Sequence, residues 1–244
     1  MNDPNARRTA PPPSQVRAMF DDIVRRYDPL NRLLSLGLDR RWRRAAVAFV
    51  RPSPGDVVLD LGTGTGDLVA MVEHRGAQAV GVDLSHQMLL AASTKLAPGA
   101  ALVEGSAFAL PFADAVFTGA VSGFVLRNLD DLAGAFGELA RVVRPGGRIA
   151  LVDITEPRNR LLRGAFDRYF ALAAPMVGKL AGRADAYRYL ARSLAQLPPP
   201  EEVCGMLRSA GFEAVGARAL TGGMVTLFTA TRSSTQTARG GETG

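Results

Sequence analysis

One cysteine, one tryptophan, two histidines and two lysines are all that this 244-residue chain holds of those residue types. A lone Cys204 excludes an intrachain disulfide, which fits a reducing compartment and places the expected location in the cytoplasm. Its neighbours Val203, Met206 and Leu207 read as one face of a helix, so Cys204 is a small core residue rather than a nucleophile. His74 and His86 have no partner at metal-ligand spacing, and no metal is expected. No apolar run is long enough for a helix to cross a bilayer. The N-terminus lacks an apolar core after its charges, so no secretory signal is read there. With Lys95 and Lys179 the only lysines, the net charge of +6 rests almost wholly on arginine.

What is present reads as an α/β protein. The chain is 47% hydrophobic and 21% charged, enough for one domain with a sizeable core. Residues 1–14 and 232–244 are polar tails expected to be disordered, which leaves 15–231 as a single domain. Residues 15–50 are predicted to form a helical cap, and 51–231 an α/β core carrying a helical insertion at 155–198. In the core, strand and helix patterns alternate, the signature of a parallel sheet with crossover helices. Predicted strands are Val57–Leu61, Ala79–Asp83, Ala101–Glu104, Ala115–Val121 and Arg148–Ile154. A helix over Asp130–Val143 and a turn at Arg144-Pro145-Gly146-Gly147 precede the last of these. After a further helix at Pro199–Ala210, Phe212–Leu220 and Met224–Thr231 form a hairpin around Thr221-Gly222-Gly223, giving an antiparallel terminal strand.

The chemistry starts at Asp60-Leu61-Gly62-Thr63-Gly64-Thr65-Gly66-Asp67, where a buried strand meets a tight turn and a helix start. Glycine at alternate positions lets a ligand touch the backbone. A dinucleotide would suit a glycine-rich turn at a helix N-terminus, but its fingerprint spaces glycine as G-x-G-x-x-G. Moreover, the carboxylates of Asp60 and Asp67 at the loop mouth would repel a pyrophosphate and attract a cation. No lysine follows the turn, which excludes a polyphosphate loop. A ligand with an ammonium group, a positive sulfur and no phosphate fits, namely S-adenosylmethionine. Asp83 closes the second strand, where a carboxylate can accept hydrogen bonds from both ribose hydroxyls. Its alternative reading is a helix cap, although Ser85 is the better cap.

The cluster Arg40, Arg41, Arg43 and Arg44 around Trp42 leads into an apolar segment. Such a helix can lie on anionic lipid or contact nucleic acid, or be a plain solvated face. No appended RNA-binding module or aromatic platform accompanies it, so no nucleic acid is expected.

Several blocks resemble the ubiquinone/menaquinone biosynthesis C-methyltransferases. They are Met19-Phe20-Asp21-Asp22-Ile23, Arg26-Tyr27-Asp28, Leu30-Asn31-Arg32-Leu33-Leu34-Ser35 and Leu38-Asp39-Arg40-Arg41-Trp42-Arg43. Further blocks are Ala109-Leu110-Pro111-Phe112, Leu126-Arg127-Asn128, Arg144-Pro145-Gly146-Gly147-Arg148, Asp185-Ala186-Tyr187-Arg188-Tyr189-Leu190 and Leu220-Thr221-Gly222-Gly223. Together they span roughly Val16 to Thr231. The resemblance implies a class I methyltransferase Rossmann-like sheet with helices on both faces and an N-terminal helical cap.

It also implies methyl transfer from S-adenosylmethionine to a ring carbon of a polyprenylated quinol, demethylmenaquinol first among the candidates. Another small aromatic or lipid acceptor, methylated at carbon or oxygen, is the alternative, ahead of an RNA methyltransferase or a non-catalytic cofactor binder. The cofactor set is Asp60, Gly62, Thr63, Gly64, Thr65, Asp83, Leu84, Ser106, Ala107, Gly123 and Tyr27. Arg127 and Asn128 are the catalytic candidates, as stabilisers of a phenolate, with a structural ion pair as the other role for Arg127. Tyr187 and Tyr189 are candidates for the substrate mouth, with core packing as their alternative. The chain departs from the family at Ser106 and Thr118, where aspartate is usual, and at Val125, where glycine is usual. Because its substrate lives in the bilayer, the protein is expected at the inner face of the membrane as a peripheral enzyme, monomeric or homodimeric.

Overall fold

The computed structural model describes residues 13–157, 159–164, 166, 168–169, 171 and 197–234. Two helices, α1 (Pro13–Leu34) and α2 (Asp39–Val50), precede the sheet. The α/β elements are then β1 (Val57–Leu61), α3 (Asp67–Glu73), β2 (Gln78–Asp83), α4 (His86–Lys95), β3 (Ala101–Glu104), β4 (Phe117–Gly123), α5 (Leu132–Val142) and β5 (Val143–Ile154). After β5 come helical residues within 160–171, then α6 (Pro200–Ser209), β6 (Phe212–Leu220) and β7 (Val225–Arg232).

The strands form one seven-stranded sheet in the order β3-β2-β1-β4-β5-β7-β6. β7 runs antiparallel to both its neighbours, and the other pairings are parallel. β1 is central and covered on both faces, which is why Val58–Leu61 are apolar with one carboxylate and all buried. Side chains along it alternate between the two layers. Leu59 and Leu61 join Phe136, Leu139 and Leu207 on the α5–α6 face, while Val58 joins Trp42, Val47, Leu68 and Val72 beneath α2 and α3. Strand order reverses between β1 and β4, and a sheet of this kind holds its ligand at the carboxyl ends beside that reversal.

Several predicted boundaries move, each for a visible reason. The N-terminal helix is two helices, because Leu36 (φ 50°) and Gly37 (φ 74°) adopt left-handed backbone that ends α1. It also begins at Pro13, inside the stretch assigned to a disordered tail. β4 starts at Phe117 and runs to Gly123, since Ala115 is left-handed (φ 57°) and donates its N–H to Arg141. The expected turn at residues 144–147 is a bulge inside β5, where the register jumps between Phe117 and Gly119. Arg232 belongs to β7 rather than the tail, and its guanidinium donates to the carbonyls of Ala140 and Gly211.

α2 departs most from expectation. It packs its Trp42, Ala46, Val47 and Val50 face onto the sheet, and Arg43 turns inward with them. Trp42 is 8% and Arg43 6% exposed, so neither can lie on a lipid surface. Arg40, Arg41 and Arg44 remain exposed.

Candidate active site

A cleft of about 860 Å³, counting space open to solvent, lies at the carboxyl ends of β1, β2 and β4. Backbone and side chains of Gly62, Gly64, Asp83, Leu84, Ser106 and Ala107 line it, as expected. Tyr27 from α1 closes one side, with its ring 3.8 Å from where a Cβ on Gly64 would sit. Gly62 adopts φ +68°, and a Cβ there would sit 2.3 Å from Val125 Cγ2. Only glycine satisfies both the backbone conformation and that contact.

Two carboxylates set the electrostatics. Asp60 is 1% exposed, and its Oδ2 accepts from Thr63 Oγ1 at 2.7 Å. Among the described residues, its other oxygen, Oδ1, makes no hydrogen bond of normal geometry, although the Val69 backbone N–H also acts on the carboxyl. Burial pushes its carboxyl up to about 7, against the Thr63 hydroxyl and the Arg43 charge. A buried carboxylate with a vacant acceptor is the complement of an ammonium group, which is the feature that distinguishes S-adenosylmethionine from a dinucleotide. Asp83 accepts from Gly64 N at 2.8 Å through Oδ2 and from Ser85 N at 2.9 Å through Oδ1. Each oxygen retains a further lone pair for a ribose hydroxyl. Burial raises the Asp83 carboxyl, partly offset by those backbone donors. Ser85, not Asp83, caps α4, by accepting from Met88 N at 3.1 Å.

Some expected contacts are spent elsewhere. Thr63 holds Asp60, and Thr65 donates to Asp28 of α1 at 2.7 Å; neither lines the cleft. Asp67 pairs with Lys95, which also reaches Asp28 at 2.9 Å. The carboxylates that would repel a pyrophosphate are therefore Asp83 at the cleft wall and Asp60 buried behind it, not Asp67. Gly123 sits one residue behind the wall, facing Leu68 and Arg43. α1 closes over the cleft through polar latches: Arg17 to Glu104 at 2.9 Å, Ser85 Oγ to Asp21 at 2.5 Å, and Thr65 to Asp28. The Arg17–Glu104 pair is exposed and contributes about 0–1 kcal/mol.

Behind the cleft lies a second cavity of about 560 Å³, also partly open. Trp42, Phe124, Phe166 and Tyr169 form its aromatic wall, and Arg127 supplies a cation. Phe124 borders both cavities. It holds a left-handed backbone (φ 67°), rare for an aromatic residue and a sign of local strain at a working site. Its ring is held by Arg43 at 4.9 Å, by Arg127 at 6.0 Å and by the edge of Trp42 at 6.0 Å. Trp42 Nε1 in turn donates to Thr221 Oγ1 at 2.9 Å. Arg127 lies in a 3₁₀ turn after β4 (Leu126–Asn128), not at the strand end, and is ion-paired with Asp153 at the end of β5. Asn128 faces the cofactor side and donates to the Phe124 carbonyl at 3.3 Å. Tyr27 stands near both arginines; burial raises its phenol while Arg43 and Arg127 pull it down.

The three departures separate cleanly. Ser106 lines the cleft, with its Oγ accepting from Phe108 N at 3.2 Å. Val125 is accommodated by packing on Gly62. Thr118 bonds the Val57 carbonyl at 3.1 Å at the opposite end of the strands and does not touch the site. Tyr187 and Tyr189 lie outside the described residues. Sequence reading missed Phe124 and Asp153, although a carboxylate inside the apolar run Leu151-Val152-Asp153-Ile154 was a usable signal.

The ubiE/COQ5 methyltransferase family model matches residues 8–232. The ubiquinone/menaquinone biosynthesis C-methyltransferase UbiE of Syntrophotalea carbinolica is 41% identical over 227 residues, covering 91% of this chain and 96% of that protein. The demethylmenaquinone methyltransferase of Mycolicibacterium vanbaalenii is 41% identical over 221 residues, covering 90% and 96%. Among solved structures, phosphoethanolamine N-methyltransferase 2 of Haemonchus contortus with S-adenosyl-L-methionine superposes at a TM-score of 0.60 and 15% identity, over 79% of this chain and 52% of that one. This last likeness is one of fold.

Proposed function

The chain belongs to the ubiE/COQ5 methyltransferase family, and we propose that it uses S-adenosylmethionine to methylate a ring carbon of a polyprenylated quinol, converting demethylmenaquinol to menaquinol. The observation that carries this reading is the pair of cavities sharing Phe124, one edged by the Asp83 carboxylate with Asp60 buried behind its Leu61–Gly62 wall, and the other aromatic with a buried cation. When bound, the cofactor supplies a methyl group activated by its positive sulfur.

The protein's own residues account for the rest. Asp60 offers its vacant oxygen to the ammonium group, and Asp83 accepts the ribose hydroxyls. Ser106 and Ala107 line the adenine end, where serine makes a weaker polar contact than aspartate. Most of the rate comes from holding the methyl group in line and in contact with the acceptor carbon, where the two cavities meet beside the Phe124 ring. The acceptor carbon becomes nucleophilic when the adjacent quinol hydroxyl loses its proton. Arg127, projecting into the second cavity, stabilises the resulting oxyanion, and the hydroxyl proton leaves to water held near Arg127 and Asn128. Once the ring carbon has taken the methyl group, its own hydrogen is lost and the ring oxygen is reprotonated, restoring the aromatic quinol. Among the described residues no helix is long and apolar enough to cross a membrane; it is the bilayer-borne quinol of this reading that calls for a peripheral enzyme at the inner face.

Labelled cofactor supplied with demethylmenaquinol, with a demethylated benzoquinol and with a lipid extract tests the reading. Mass spectrometry should find label on the naphthoquinol ring carbon. Label on oxygen, or only on another metabolite or RNA, would overturn it.

A further inference from the structure

We propose that the rim of the second cavity is a bilayer-docking surface, in which Leu33 at the end of α1, Leu36 of the turn that follows, and Leu161 and Leu162 among the helical residues within 160–171 enter an anionic leaflet. Six large hydrophobic side chains are exposed among the described residues, and these four are among them. Their clustering is the first observation. Leu36 is 72% and Leu161 85% exposed, so neither helps the core.

The second observation is where the two segments sit. Leu34 and Ser35, next to Leu33 and Leu36, line the second cavity, and so do Phe166 and Tyr169. Tyr169 Oη donates to the Leu34 carbonyl at 2.9 Å, which ties the segments together at that cavity. Leu162 also packs against Gly222 of the turn before β7, near the Thr221 that holds Trp42. The apolar rim is therefore continuous with the aromatic cavity.

Charge identifies the occupant. Arg32, Arg40, Arg41 and Arg160 are exposed in the same segments. The nearby carboxylates are already matched: Asp39 with Arg43 at 2.7 Å, and Glu156 with Arg163 at 3.1 Å. Apolar side chains amid arginines complement an anionic headgroup layer over acyl chains. Leu36 also holds a left-handed backbone (φ 50°), so the turn presents an apolar side chain outward in a conformation that leucine disfavours. These residues replace Trp42 and Arg43, which face inward, as the membrane contact. The surface would let a prenyl chain pass from the leaflet into the cavity, and that part rests on the quinol reading above.

Co-sedimentation with phosphatidylglycerol–phosphatidylcholine vesicles, and with phosphatidylcholine alone, tests the docking surface without turnover. The wild type should bind the anionic vesicles, less as salt rises. Leu36→Glu/Leu161→Glu should weaken that binding about tenfold or more, with circular dichroism, cofactor affinity and turnover of a short, water-soluble quinol unchanged. Equal vesicle binding by wild type and variant would overturn the proposal. So would a wild-type dimer in sedimentation velocity that the double variant dissociates without any vesicle binding, since the occupant would then be a second copy. Failure of wild type to methylate any quinol would strike the functional reading alone.

Discussion

Asp153 holds Arg127 by two atoms at once: Oδ2 accepts from the Arg127 backbone N at 3.1 Å, and Oδ1 from Nη1 at 2.5 Å. The pair joins the end of β5 to the turn after β4 and fixes both the turn and the guanidinium. It leaves Arg127 at the wall of the second cavity. Structural and catalytic roles therefore coincide in one residue, and a single substitution would confound them.

Arg127→Met should cost about 3–5 kcal/mol of stability, because it strands a buried carboxylate. Arg127→Met/Asp153→Leu should recover much of that stability and still turn over at least about a hundredfold more slowly, with cofactor affinity nearly constant. Thermal melts, calorimetry and steady-state rates on both variants check this. Recovery of turnover along with stability would reduce Arg127 to a structural role.

Asp83→Ala should weaken S-adenosylmethionine binding by about 1–3 kcal/mol, since it removes the ribose acceptor and leaves the Gly64 and Ser85 N–H groups without their present partner. Asp83→Asn, which keeps one acceptor oxygen, should fall between. Calorimetry on folded variants decides, and an unchanged affinity would remove Asp83 from the site.

The parallel core and the glycine loop at its cleft were legible because their signals are local. Buried strands announce themselves as apolar runs, and alternate glycines after Asp60 leave backbone open to the cleft. Asp83 was placed correctly for the same reason, as the last residue of its strand. Trp42 and Arg43 were misjudged because a run of arginines looks solvated, whereas Asp39, one turn earlier, neutralises Arg43 and lets it face inward. Phe124 escaped notice because its role depends on a left-handed backbone and on which two cavities it borders. Neither is written in residue spacing. Asp67 and Thr65 misled for a third reason: their partners, Lys95 and Asp28, are distant in sequence.

Gly62→Ala should be severely disruptive, with a left-handed backbone cost of about 1–2 kcal/mol added to a clash with Val125. Adding Val125→Gly should relieve the clash and leave the backbone cost. A double-mutant cycle by denaturant unfolding would show coupling of about 1 kcal/mol or more. Strict additivity would mean that the Gly62–Val125 contact does not limit the loop.

The last expectation concerns pH. Burial raises the Asp60 carboxyl to about 7 from its ordinary value of 3.8. The folded apo protein thus holds a proton there that the unfolded chain has released, so this group's contribution to stability is fully present below about pH 4 and is lost as pH rises through about 7. Cofactor binding should run the other way. An ammonium group favours the ionised carboxylate, so binding should expel the proton, and affinity should climb between about pH 6 and 8 before levelling off. Calorimetry in phosphate and in Tris should then give different apparent enthalpies near pH 6.5, reporting proton release. Asp60→Asn should abolish both the buffer difference and the climb, and should bind less tightly than wild type at pH 8. If the wild type shows no buffer dependence and a flat affinity profile, Asp60 does not meet the cofactor's charge, and its vacant oxygen serves some other donor.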